Sequence, residues 1–539
     1  MREFAALYAA LDSTTSTRTR REVLATHLAR ASAEDAAWTV WFLCGGKPRQ
    51  AVPARVLREV AARRAGLPDW LFEESYQAVG DLAETLALLL PPPSRTLSTL
   101  TLAQWVEQRV LSLRATPADR VPALLEAWWD ELDTASRFVL NKLITGGFRV
   151  GVSRQTVVQA VAAVAGVAPQ VIAERLAGDW QPSPLAWQAL IDPHATAVPP
   201  ARPYPFFLAQ SLVAATPDAL GDRARWIAEW KWDGIRAQLV CRAGEVHLWS
   251  RGEESITARY PEVVAAARAL PSGSVLDGEL VAWRDGAVAP FALLQRRIGL
   301  ARPGATALAR APVVFIAWDL LEQGGVDLRA QPWTQRRAAL EGLLAGIDEG
   351  VRDVLRLSPQ VEGGDWAALA RARESARGRR VEGLMLKRVD SAYGIGRTKS
   401  APEGEWWKWK LDPLSVDAVL VYAQRGHGRR ASLYTDYTFA VWHEGALVPF
   451  AKAYSGLADA EIREVDAFIR GNTIERFGPV RSVTPRLVCE IGFEGIGESP
   501  RHKSGIAVRF PRILRLRGDK SPQDADTLAR LRELAGIAP

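Results

Sequence analysis

The spacing of apolar residues changes character twice along the chain. Over the first 195 or so positions it follows a helical period. Phe4, Leu7, Tyr8 and Leu11 fall on one helical face, as do Leu124, Leu125, Trp128 and Leu132. Pro91, Pro92 and Pro93 break this region in two. Gly146, Gly147 and Gly151 mark a turn-rich stretch before a further helix near Arg154–Val164, and the prolines between 199 and 205 read as a linker.

From about 206 to 412 short β-type runs alternate with helical ones. Strands are predicted at Trp226–Trp230, Ile235–Cys241, Val246–Trp249, Val275–Leu276, Val313–Trp318 and Val381–Leu386, with helices at Tyr260–Leu270 and Trp333–Leu344. From 414 onward strands dominate: Val416–Ala423, Tyr434–Trp442, Leu447–Ala453, Arg486–Phe493 and Ala507–Leu516, with one helix at Ala458–Arg470. Several strands plus a helix in so short a region suit a small barrel of the OB type. The prediction is therefore multidomain: all-α over 1–200, α+β over 201–413, and an all-β OB-fold domain over 414–539.

Composition narrows the class. The 539 residues are 48% hydrophobic and 24% charged, which suits folded domains rather than disorder. Three cysteines and six scattered histidines exclude a disulfide framework and a Cys-built zinc module. The start carries no basic segment followed by an apolar core, and the longest apolar stretch, Ala160–Ala168, is too short to span a bilayer. A soluble, cytoplasmic protein is expected. The net charge of +7 permits a polyanionic partner. Only ten of the 68 basic residues are lysine. Arginine cannot serve as an amine nucleophile and lysine can, so each lysine merits inspection.

Lys231 closes one strand in Glu229-Trp-Lys231-Trp-Asp233-Gly234-Ile-Arg236, with two tryptophans beside it. The plain reading is a hairpin with a surface lysine; the chemical one is a nucleophile. Ser250-Arg251-Gly252 ends the next strand. Asp277-Gly278-Glu279 is either a turn or a pair of hard oxygen ligands for Mg²⁺. Trp318-Asp319 closes an apolar run. In Glu382-Gly-Leu-Met-Leu-Lys387, strand alternation puts Glu382 and Lys387 on opposite faces unless the strand bends. Lys408 and Lys410 share one face, and their repulsion suits a bound polyanion. A basic run from Arg509 through Arg512 to Asp519-Lys520 closes the series.

Taken in this order, the motifs resemble those of the ATP-dependent DNA ligases of the nucleotidyltransferase superfamily. Five of the ten lysines (231, 387, 408, 410 and 520) fall on motif positions. The closest resemblance runs from 206 to 520, and Phe138–Ser153 resembles part of the family's helical DNA-binding domain. The resemblance implies that Lys231 attacks the α-phosphate of ATP, forming lysyl-AMP. AMP then passes to the 5′-phosphate of nicked duplex DNA, and the 3′-hydroxyl displaces it. Glu229 is expected at the adenine edge and Trp318 stacked on the base. Arg236 is expected on the ribose or the nick phosphate and Arg251 on a phosphate, with Glu279 and Glu382 on Mg²⁺ or ribose. Lys408 and Lys410 would bind the α-phosphate, and Arg397 would be a further ATP contact. Arg509, Arg512, Asp519 and Lys520 would orient pyrophosphate. Lys142, Arg149 and Arg154 are candidate DNA contacts, and a monomer is expected.

Three other readings share some of these motifs. RNA ligases and mRNA-capping guanylyltransferases carry K-x-D-G, but roughly 200 residues precede Lys231 here. NAD-dependent ligases carry a Cys-ligated zinc module. An inactive nick-binding protein would be expected to lack Lys231, Glu279 or Lys408, and all three are present.

Overall fold

The helical period of the N-terminal region is realised in the computed structural model. Arg2–Asp12 is helical and buries Phe4, Leu7, Tyr8 and Leu11. Val121–Asp130 buries Leu125 and Trp128. The helix Thr134–Thr145 ends on Gly146 in the left-handed region (φ +68°), where a glycine terminates a helix without a Cβ penalty. The structure describes all residues except 49, 51, 147, 149, 196–199, 213–216, 397–404, 427–429, 431 and 538–539. Arg149, Arg397 and the segment around Lys399 therefore lie outside the described residues. No single helix among those described is long and apolar enough to cross a membrane.

The chain packs as two compact units. One comprises residues 11–46 and 151–411; the other comprises 1–10, 47–150 and 412–539.

In the first unit the strands are β1 (Gln210–Ser211), β2 (Trp226–Trp232), β3 (Ile235–Arg242), β4 (Glu245–Ser250), β5 (Ser274–Arg284), β6 (Ala287–Val288), β7 (Val313–Gln323), β8 (Val326–Asp327), β9 (Leu355–Leu357), β10 (Val381–Arg388) and β11 (Trp406–Lys410). They form two sheets. One has the order β1-β11-β10-β2; the other runs β4-β3-β5-β7-β8, with β6 on β5 and β9 on β7. Each sheet packs one face into an apolar core. Ala228, Leu384, Leu386 and Trp409 pack together behind the smaller sheet. Behind the larger one, Leu239, Leu276, Leu280, Phe315 and Leu320 pack against Leu340, Leu343 and Leu344 of the helix Trp333–Ala345. β5 is much longer than the two residues predicted, because Asp277 and Glu279 interrupt the apolar pattern in mid-strand. The D-G-E sequence is therefore neither a turn nor a strand end.

In the second unit the strands are β12 (Leu414–Arg425), β13 (Tyr434–His443), β14 (Ala446–Ala453), β15 (Thr473–Phe477), β16 (Val480–Val483), β17 (Val488–Phe493), β18 (Gly495–Glu498), β19 (Ile506–Arg509) and β20 (Arg512–Leu516). Seven of them make a sheet of order β14-β13-β12-β16-β15, with β17 bridging β12 and β20. The helix Asp459–Gly471 places Val465 and Ile469 in the core beneath it. The single strand expected over Ala507–Leu516 is two, broken at Phe510 (φ +53°) and Pro511.

Candidate active site

β2 and β3 are not partners. β2 pairs with β10 in the smaller sheet, whereas β3 pairs with β4 and β5 in the larger one. The chain thus crosses from one sheet to the other at Asp233 and Gly234, and Lys231, near the end of β2, sits beside that seam. Gly234 makes the crossing possible. A Cβ there would lie 2.2 Å from the Leu280 carbonyl oxygen and 2.8 Å from Glu279 Cγ. The hairpin reading of K-x-D-G is therefore replaced by a junction between sheets.

One face of the smaller sheet is polar. Register places Met385 opposite Glu229 on one side and opposite Lys408 on the other, so Glu229, Lys231, Lys387, Lys408 and Lys410 share that face. Simple alternation would turn Glu382 to the other side with Leu384. A bulge prevents this. Val381 pairs with Trp232 and Leu384 with Trp230, so three steps on β10 match two on β2. Gly383 absorbs the extra residue at φ +131°. Glu382 turns towards Lys231, whose Nζ donates to Oε2 at 2.5 Å, and Lys410 Nζ lies 3.5 Å from the same oxygen.

The larger sheet supplies a second polar face. Arg236 pairs in register with Glu279, and Gln238 with Asp277. Asp277 is fully buried and accepts two hydrogen bonds from Arg236, Nε at 3.2 Å and NH2 at 2.7 Å. Tyr393 OH donates to the same carboxylate at 2.7 Å. A second bulge falls in β7: Asp277 pairs with Asp319 and Gly278 with Ala317, leaving Trp318 as the extra residue. The Arg236 guanidinium lies 5.6 Å from the Trp318 ring and Lys387 Nζ lies 5.5 Å from it. The buried Trp318 Nε1 has no hydrogen-bond partner among the described residues.

The electrostatics tie the two faces together. Desolvation pushes the Glu279 carboxyl up to about 8; Lys231 and Arg236 pull it down, and Glu382 adds to the rise. Glu229 is buried with Lys387 Nζ 2.5 Å from Oε2 and Arg337 NH1 donating to Oε1 at 3.1 Å. Burial raises its carboxyl as well, and the two cations oppose the rise. Arg251 is exposed, and its backbone N–H donates to the Arg236 carbonyl, so the Ser250–Gly252 turn is anchored beside β3.

The predicted residues of the first unit thus converge. Glu229, Lys231, Arg236, Glu279, Trp318, Glu382, Lys408 and Lys410 line two polar faces, with Arg251 at their margin. Arg509, Arg512, Asp519 and Lys520 belong to the second unit. There Arg512 is 3.5 Å from Glu494, Asp519 pairs with Arg517, and Lys520 Nζ donates to Asp417 at 2.6 Å. Two candidate DNA contacts are already engaged. Lys142 is buried against Asp81, and Arg154 donates to Glu253 and to the Leu176 carbonyl, both at 2.7 Å. Sequence reasoning missed Tyr393 and Arg337. Neither lies in a motif, and Arg337 is one among 58 arginines.

Two carboxylates at hand, Glu279 and Glu382, do not make an all-protein metal cage; no group of three potential ligands occurs among the described residues. Mg²⁺ typically binds through one or two carboxylates plus substrate phosphates, so this donor set fits an ion arriving with a nucleotide.

Comparison with known proteins agrees with this arrangement. The model described as "ATP dependent DNA ligase domain" matches residues 206–410, "DNA ligase N terminus" matches 1–162, and "ATP dependent DNA ligase C terminal region" matches 430–520. A probable DNA ligase of Koribacter versatilis is 32% identical, over 96% of this chain and 94% of its own. A DNA ligase of Thermococcus fumicolans is 29% identical, over 90% of this chain and 88% of its own. The solved structure named Pmar-Lig_PreS3 shares the fold at 16% identity, with a TM-score of 0.58, covering 95% of this chain and 99% of that one. Motif order, regional matches and an end-to-end relative above 30% identity agree, and the chain belongs to the ATP-dependent DNA ligases.

Proposed function

We propose that this ligase seals nicks in duplex DNA through a lysyl-AMP intermediate on Lys231. The observation that carries the reading is the Lys231 amine at the seam between two polar faces, within 2.5 Å of Glu382 and next to Glu279 and Lys410. Attack needs the neutral amine, and Glu382 is the carboxylate in reach of its proton. The Nζ lone pair forms a bond to the α-phosphorus of ATP, the bond from that phosphorus to the bridging oxygen breaks, and pyrophosphate leaves. Lys408 and Lys410 would stabilise the charge that develops on the α-phosphate oxygens. Glu229 would accept a hydrogen bond from the adenine amino group, and Trp318 would stack on the base. Arg236 and Arg251 would meet ribose or phosphate, and Arg397 a further part of ATP. Glu279 and Glu382 would hold Mg²⁺, which neutralises phosphate charge when bound.

AMP then moves from Lys231 to the 5′-phosphate at the nick, and the 3′-hydroxyl displaces it to restore the strand. A monomer acting in the cytoplasm, on the nucleoid in a bacterium, completes the reading, as does an N-terminal DNA-binding domain over 1–200 followed by domains over 201–413 and 414–539.

The test uses ATP labelled at the α-phosphate. Label should remain on the denatured protein and discharge onto nicked duplex DNA as a longer strand appears. Discharge onto RNA alone, or no label on protein free of prior adenylation, overturns the reading. Arg509, Arg512, Asp519 and Lys520 are assigned to the pyrophosphate-releasing step. Arg509→Ala should lower labelling by about 10²-fold, the loss of a charge contact made only in that step. It should spare sealing of nicks that already carry AMP. Equal loss in both assays would remove Arg509 from that step.

A further inference from the structure

Two adjacent arginines on the helix Trp333–Ala345 approach the catalytic sheets from behind. Arg336 is committed to Asp319, donating through Nε at 2.8 Å and NH2 at 2.9 Å. Arg337 takes a different path. Its NH1 donates to Glu229 Oε1 at 3.1 Å, its NH2 to the Ser358 carbonyl at 2.8 Å and its Nε to Glu341 at 2.7 Å. The guanidinium is thus fixed on three sides. Lys387 meets the other Glu229 oxygen, and Glu229 itself is 1% exposed. Turning that carboxylate would break an ion pair in a buried site, which is costly.

The orientation matters for the choice of base. A 6-aminopurine presents an N–H donor at position six; a 6-oxopurine presents an acceptor. An ionised carboxylate only accepts, and each of its oxygens keeps a free lone pair after one cation is bound. Burial alone favours the protonated carboxyl, which also donates and would admit the oxo base; Lys387 and Arg337 work against that form. Arg337 touches Glu229 directly, and with the base read by Glu229 it acts through that residue.

We propose that Arg337 is a specificity-determining positioning residue. It holds Glu229 as a fixed acceptor, so the site takes 6-aminopurine nucleoside triphosphates and rejects 6-oxopurine ones. The inference rests on Glu229 reading the adenine edge.

The experiment compares lysyl-nucleotide formation from α-labelled ATP and α-labelled inosine triphosphate, each over a range of concentrations, in the full chain. Glu229→Gln should lower the ATP-over-inosine preference at least tenfold, because an amide donates as well as accepts. Arg337→Gln should lower it by about the same factor, chiefly through a raised KM for ATP. Arg337→Lys should lower it less, since one ammonium cannot span Glu229 and Ser358. A collapsed ratio in Glu229→Gln with the parental ratio in Arg337→Gln overturns the proposal and leaves the Glu229 reading intact. A parental ratio in Glu229→Gln overturns both. If thermal melting shows that Arg337→Gln does not fold, Arg337→Lys decides: a parental ratio there overturns the proposal, and a lowered one supports it.

Discussion

Arginine in place of Lys231 will give a folded protein that takes up no label from α-labelled ATP. The expected loss in lysyl-AMP formation is on the order of 10⁴-fold or more, because the group that forms the covalent bond is gone. A guanidinium keeps its charge and can still pair with Glu382, so the junction between the sheets survives. Its nitrogens are delocalised and always protonated, and they do not attack phosphorus. Lys231→Ala should show the same chemical loss and also remove the ion pair with Glu382. Neither variant should seal a nick supplied with ATP. Labelling gels report the chemistry, and circular dichroism reports the fold. Residual lysyl-AMP in either variant would refute Lys231 as the nucleophile.

The second large effect concerns a residue with no side chain. Gly383→Ala is expected to cost about 3 kcal/mol or more of stability and to lower adenylation by about 10²-fold. At φ +131° an alanine is strained whatever space it has, and here it has none. Its Cβ would lie 2.3 Å from the Trp409 carbonyl oxygen, 2.9 Å from Lys410 Cα and 3.0 Å from Leu411 N. All three are backbone atoms, so relief requires β11 to move, and β11 carries Lys408 and Lys410. Denaturant titration and ATP labelling measure the two effects. An alanine variant with the parental midpoint and full labelling would show that the bulge is dispensable.

These two residues show what a sequence reveals and what it leaves hidden. Lys231 was legible because lysine is scarce here and because K-x-D-G-x-R has a chemical rationale. Gly383 was legible as part of a motif, but not its task. Its φ depends on a mismatch of register with β2, and β2 lies about 150 residues earlier in the chain. The same limit explains β5. Asp277 and Glu279 look like a turn until Arg236 and Tyr393, both distant in sequence, are placed beside Asp277. β15 escaped detection because most of its residues are exposed, so no alternation marks it. Lys142 and Arg154 are candidate DNA contacts through the resemblance, and the sequence does not show what pairs with them. Their acidic partners, Asp81 and Glu253, lie 61 and 99 residues away. β3, β4, β13 and β14 were legible to within a residue at each end, since burial of one face writes itself into the residue pattern.

The bulge at Gly383 also changes what motif spacing means. Five positions separate Glu382 from Lys387, an odd gap that a regular strand would turn to opposite faces, and the bulge brings both to one face. With the bulge in place, removing one residue between Gly383 and Lys387 would turn Glu382 and Lys387 to opposite sides, one of them into the layer held by Leu384 and Leu386. Natural variation in this segment should therefore tolerate many changes of letter and no change of count. The gap in E-G-x-x-x-K acts as a length standard, because with the bulge in place a shift of one position exchanges the wet side of the strand for the dry one.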